Sequence, residues 1–223
     1  MAKETAKKRT RKRPLTRERV FEAAIALADA EGAEALTMRK LAQKLGVEAM
    51  SLYHHVADKE AILDGMVEAV FAEIELPVDL GWKDAMRERC GRLRAALLRH
   101  PWAVSLLDAR VNPGPATLGH QEWVLGTLYA DGFSVPLAAT AAATLDAYVY
   151  GFAIQELALP FDTSEELAEA LGDPLEMMPA DAYPSLARMV GEYASKPGYA
   201  FSKEFPRGLE LILDGFERAL AEA

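Results

Sequence analysis

The sequence predicts an all-α protein. Apolar residues recur at three- and four-residue spacing through its long segments. Gly and Pro cluster between those segments, as at Asn112-Pro113-Gly114-Pro115, Asp131-Gly132, Gly172-Asp173-Pro174 and Pro197-Gly198. No stretch alternates apolar and polar residues between hairpin turns, and no internal repeat is visible.

Residues 1–15 form a basic arm without apolar periodicity, and disorder is expected there. Thr16 can cap a first helix whose stripe is Val20, Phe21, Ala24, Ile25, Leu27 and Ala28, with Gly32 as its stop. Residues 36–66 read LTMRKLAQKLGVEAMSLYHHVADKEAILDGM. Leu36, Leu41, Ala42, Leu45, Val47, Leu52 and Val56 space two short helices around Gly46, the layout of a helix-turn-helix. Ala42 leaves room for the second helix to cross the first, and Gly46 can take the positive φ of a sharp turn. Asp58 can cap a fourth helix, with Glu60 in its first turn, running to about Glu75 before Pro77.

The body reads as helices at about 82–99, 101–109, 117–131, 135–159, 165–171, 183–195 and 204–221. The acidic, Pro-containing stretch 160–182 is the expected mobile loop. The division expected is an arm at 1–15, a three-helix DNA-binding head at 16–62, and a helical body at 63–223, to which the family resemblance given below assigns ligand binding and dimerisation.

Bulk properties fit that layout. The 223 residues hold 51% hydrophobic side chains, enough for a substantial core. No apolar run is expected to span a membrane, and no secretory signal is apparent. The single cysteine, Cys90, excludes an intrachain disulfide framework and fits a reducing cytoplasm. The net charge of −9 argues against nucleic acid until its distribution is read. Residues 1–60 carry 13 Lys/Arg against 9 Asp/Glu, whereas residues 61–223 carry 12 against 25. A basic end on an acidic body orients the molecule in the field of DNA.

The leading helix carries Thr37, a cap residue grouped with the DNA contacts, and Arg39, whose guanidinium fork suits the two acceptors of guanine in the major groove. Ala49, Met50 and Ser51 open the second helix, where side chains reach base edges; the first two could meet thymine methyls. Tyr53, His54 and His55 fall on or near its outer side. Adjacent helical residues point roughly 100° apart, so His54 and His55 cannot chelate one ion together. Ser51, His54 and Asp58 have triad composition but not triad geometry, so no catalytic residue, metal or cofactor is expected.

The words LTMRKLAQKLGVE, SLYHHV and DKEAILDGM, with FPRGLELILDGFERAL near the end, resemble the TetR family of bacterial transcriptional regulators, and most of all its tetracycline-responsive members. The likeness is dense over residues 16–66, patchy over 90–155 and clear again over 204–220. It implies a homodimeric repressor on palindromic double-stranded DNA, released by a small-molecule effector. It implies base reading by Arg39 and phosphate positioning by Tyr53, His54, His55 and Lys59. Two helices would pair with their copies in a second subunit, through Leu145, Val149, Phe152, Leu209, Leu213 and Phe216. Ordinary intrachain core is the alternative for these six.

The likeness breaks in two places. Ala49 and Met50 stand where tetracycline-responsive members have glutamine and proline, so a different operator is expected. Those members bind magnesium through a histidine, but the matching position here is Leu107, or Asp108 with one inserted residue. A second drug-contacting histidine falls near Ile74 and Glu75. The ligand residues expected here are Trp102, Asp108, Gln121, Asp146 and Tyr150, each with core packing or a solvated face as the alternative. Other functions left open are an activator, a ligandless DNA binder, or a small helical enzyme that kept a DNA head.

Overall fold

The computed structural model describes residues 14–107, 113–171 and 181–222. The described chain is helical, with one isolated β-bridge, Thr163 to Ala200. It divides into two compact units, Met1–Met66 and Val67–Ala223, and the division falls inside a helix.

In the first unit, α1 spans Arg17–Glu31, α2 Met38–Leu45 and α3 Ala49–Leu52. α4, Lys59–Ala72, begins in this unit. The starts of α1, α2 and α4 are set by local hydrogen bonds. The Arg19 amide donates to the Thr16 hydroxyl at 3.3 Å, and the Lys40 amide to that of Thr37 at 3.1 Å. The Ala61 amide donates to the Asp58 carboxylate at 2.8 Å. Such caps satisfy backbone donors that the helix cannot, each contributing about 1 kcal/mol. Gly46 closes α2 in the left-handed region, φ 67°, which costs glycine nothing. Val20, Ala24, Leu41, Leu52 and Ile62 are fully buried and join the helices.

Two sequence expectations need correction here. The second helix of the motif is a single turn, so His54 and His55 lie beyond it in a turn that ends at Val56. α4 ends at Ala72, short of Glu75.

The second unit holds α5 (Trp82–Arg99), α6 (Pro101–Leu107), α7 (Pro115–Ala130), α8 (Val135–Ala158), α9 (Ser164–Leu171), α10 (Pro184–Met189) and α11 (Glu204–Ala221). The segment expected as a helix at 183–195 is α10 followed by a π-helical turn, Val190–Ala194. Part of the expected mobile loop is ordered as α9. Asp162 holds its base: its carbonyl accepts from the Phe201 amide at 2.7 Å, and its carboxylate from the Ser202 amide at 2.6 Å. The rest of that loop, 172–180, lies outside the described residues.

α8 is the central helix, packed against α5, α6, α7 and α11. By length and average composition it alone among the described helices is long and apolar enough to cross a membrane, although Asp146 and its threonines interrupt any continuous apolar run. Its alanines raise the average without making a run of large apolar side chains. In the fold, Ala138, Ala141, Leu145, Val149 and Ala153 are fully buried inside the unit.

That burial bears on the six residues named for an interface. Leu145, Val149 and Leu213 are 0% exposed and Leu209 is 2% exposed within a single chain, which is the core packing given as their alternative. Phe152 is also buried, stacked on Phe201 at 4.9 Å and edge-on to Phe205 at 5.3 Å. Only Phe216 is half-buried. Helical periodicity identifies an apolar stripe but not what covers it, and here the protomer's own helices do.

Candidate nucleic-acid interface and cavity

The helix-turn-helix presents its polar residues to solvent. Thr37 and Arg39 are exposed on α2 and its cap, as are Met50, Tyr53 and His54 around α3. Met50 is 72% exposed at the start of α3, where it is free to meet a partner such as a thymine methyl. Ala49, Ser51, His55 and Lys59 are half-buried. Arg39 makes no ion pair among the described residues, while neighbouring Lys40 is held by Glu31 at 2.8 Å. The arm at 1–13 lies outside the described residues.

The second unit holds a cavity of about 550 Å³ that is partly open to solvent. Phe71 of α4, Val104 and Leu107 of α6, and Ile154 of α8 give it apolar walls. Ser105, Thr117, Gln121, Asp146 and Tyr150 supply polar groups. Three of the five residues named from sequence therefore meet at this wall: Gln121, Asp146 and Tyr150. Trp102 is buried elsewhere, its ring 5.8 Å from that of His100. Asp108 lies outside the described residues. Phe71, Thr117 and Ile154 were not named. Ile154 follows Asp146 and Tyr150 at helical spacing and could have been found, but nothing in the sequence brings Phe71 or Thr117 to that face.

Behind the wall lies a buried ionic group. Arg89 is 0% exposed, and its Nη1 lies 2.6 Å from Asp146 Oδ1, a charge contact without good hydrogen-bond alignment. Its Nε donates to His120 Nε2 at 2.7 Å. Burial lowers the His120 pKa to about 4, with the Arg89 charge adding to the effect, so the ring is neutral with its proton on Nδ1. Burial is the largest single effect and opposes the Arg89 charge, but the Asp146 carboxylate, together with the other neighbours of Arg89, outweighs it and holds the guanidinium protonated. Burial, then the Asp146 charge, pushes the Tyr150 phenol well above its ordinary value. Gln121 donates to the other Asp146 oxygen at 3.1 Å.

The cavity is tied to α4 by a second contact. Glu68, one turn before Phe71, accepts from the amides of Gly114 (3.1 Å), Ala116 (2.6 Å) and Thr117 (3.1 Å). It caps α7 with a full negative charge at the positive end of that helix.

A helix-turn-helix with free basic and apolar tips, joined by a continuous helix to a helical unit with a cavity, defines a DNA-binding transcriptional regulator. Comparison with known proteins agrees over nearly the whole chain. Residues 20–66 match the family described as bacterial regulatory proteins, tetR family, and residues 76–220 match the tetracyclin repressor-like C-terminal domain. The chain belongs to the TetR family of transcriptional regulators and is not an enzyme. It is 36% identical over 211 residues to an HTH-type transcriptional regulator of Saccharopolyspora erythraea, covering 93% of this chain and 87% of that one. It is 30% identical to the class D tetracycline repressor protein of Escherichia coli, covering 91% and 89%. Among solved structures, ActR of Streptomyces coelicolor in complex with actinorhodin matches with a TM-score of 0.77 and 30% identity, covering 93% of this chain and 99% of that one.

Proposed function

We propose that this chain is a homodimeric repressor of a palindromic operator, released by a small molecule that enters the cavity of the second unit. The domain division follows the sequence reading: an arm at 1–15, a DNA-binding head at 16–62 and a body at 63–223. Arg39 reads a base, Ala49, Met50 and Ser51 face base edges, and Thr37, Tyr53, His54, His55 and Lys59 position the phosphates. Gln121, Asp146 and Tyr150 contact the effector.

The observation that carries this reading is Phe71. It lines the cavity from α4, the helix that also enters the first unit. Glu68 of the same helix is bonded to Thr117 of the cavity wall. A ligand that favours one setting of α4 over another therefore shifts the population of DNA-competent molecules. The names of similar proteins support the sign of regulation, since the class D relative is a repressor.

For the dimer, the proposed face is the exposed side of the same two helices, α8 and α11. On α11, Leu211 is 73% exposed, with Gly215 and Ala219 on the same stripe. On α8, Thr140, Thr144, Gly151 and Ala158 form a strip of small residues that lets another helix approach closely. A second copy would cover both.

Fluorescence anisotropy on duplex DNA taken from upstream of the chain's own gene tests the proposal. Saturable binding that falls steeply with salt and exceeds that of scrambled duplex is expected. Equal affinity for both duplexes would refute it.

A further inference from the structure

We infer that the cavity takes an uncharged effector carrying a hydroxyl on an apolar ring frame, the hydroxyl donating to Asp146 and a neighbouring oxygen accepting from Tyr150. This rests on the effector reading above and goes further by naming the ligand's chemical class.

The charge arrangement leads to it. Asp146 is the only formally charged side chain at the described wall, and it is 17% exposed there. Arg89 stands behind it, fully buried, and cannot itself be reached. The guanidinium stays protonated at any working pH and sets a fixed positive charge behind the carboxylate. Asp146 therefore presents a hydrogen-bond acceptor to the cavity. A ligand group placed against it must donate, and a ligand carboxylate there would be repelled. A cationic ligand gains little, because Arg89 already balances the charge.

Tyr150 supplies the complement. Its phenol keeps its proton and makes no hydrogen bond to another described residue, so it can donate into the cavity. Asp146 and Tyr150 are four residues apart on α8 and fall on one helix face. They thus offer an acceptor and a donor side by side. An aromatic hydroxyl next to a carbonyl answers both. Phe71, Val104, Leu107 and Ile154 provide the apolar surface for the rest of the frame.

Three matched probes test this by calorimetry on the full chain: a dihydroxyanthraquinone, its dimethyl ether and its carboxylate. The hydroxyl form should bind at least about tenfold more tightly than either of the others. Equal affinity for the hydroxyl form and the ether, tightest binding of the carboxylate, or no binding of the hydroxyl form overturns the inference. Asp146→Asn alone strands the Arg89 charge, so the informative variant is Arg89→Met with Asp146→Asn. Its circular dichroism should be native, and its penalty against the carboxylate should vanish. If that penalty persists in the folded double variant, Asp146 is not its source. Ile154→Trp separates this inference from the broader one. A carboxylate that binds tightest and is expelled by Ile154→Trp leaves the cavity as the effector site and removes only the hydroxyl reading.

Discussion

Glu68 of α4 and Thr117 of α7 are bonded twice: the Thr117 amide donates to Glu68 Oε1 at 3.1 Å, and its hydroxyl donates to the same oxygen. One carboxylate thus joins a helix shared by both units to the start of a cavity-lining helix. Glu68→Ala should cost about 1–3 kcal/mol, because it removes a charged cap and leaves half-buried amides without acceptors. Urea unfolding followed by circular dichroism measures this. A midpoint equal to that of the unaltered chain would show that water replaces the cap without loss.

Two substitutions on α11 separate core from interface. Leu213→Asp puts a carboxylate at a fully buried site and should destabilise the fold by about 3 kcal/mol or more. Leu211→Asp should leave helicity unchanged and convert a dimer to a monomer, since that side chain is 73% exposed in a single chain. Sedimentation and circular dichroism together decide. A Leu211→Asp dimer of normal affinity would place the interface elsewhere.

Arg39→Ala should weaken specific binding by roughly 1–3 kcal/mol and relax the preference at one base pair per half-site. Lys59→Ala should weaken binding to operator and scrambled duplex about equally. If both variants lower the two affinities by the same factor, Arg39 contacts only the backbone.

His120 gives a pH signature. Its folded pKa of about 4 lies below the ordinary 6.5, so the unfolded chain binds more protons between those values. Stability from the buried neutral ring is complete above pH 6.5 and is lost as pH falls towards 4, a change on the order of 3 kcal/mol. His120→Gln should flatten the stability profile in that window and leave the carboxylate-driven loss at lower pH. An unchanged slope between pH 4 and 6.5 would mean that the ring titrates normally.

Tetracycline with magnesium should not release the operator complex at the micromolar level. The described cavity wall offers one carboxylate and no histidine, and Leu107 cannot supply the nitrogen ligand that such a site uses. Anisotropy during titration checks this, and release at micromolar drug would make Asp108 the first residue to substitute.

Helix positions were legible because they depend on local signals. Thr16, Thr37 and Asp58 cap where their side chains can reach the next amides, and Gly46 turns where φ must be positive. The faces of α8 and α11 were not legible in the same way. Leu213 and Leu211 are both leucines on an amphipathic helix, and only the packing of α5 and α8 shows that the first is covered and the second is not. The cavity was half legible. Gln121, Asp146 and Tyr150 stand out as polar groups on apolar helices, whereas Phe71 and Thr117 reach the wall only through the tertiary arrangement that Glu68 helps to hold.

Selection of duplexes from a random library tests the central claim most directly. The purified chain should enrich an inverted repeat whose half-sites lie in successive major grooves, about one helical turn apart or a multiple of it. Leu211→Asp should lose that enrichment while keeping its fold. Enrichment of a single unsymmetrical half-site, or of no sequence at all, would contradict a dimeric operator-binding repressor.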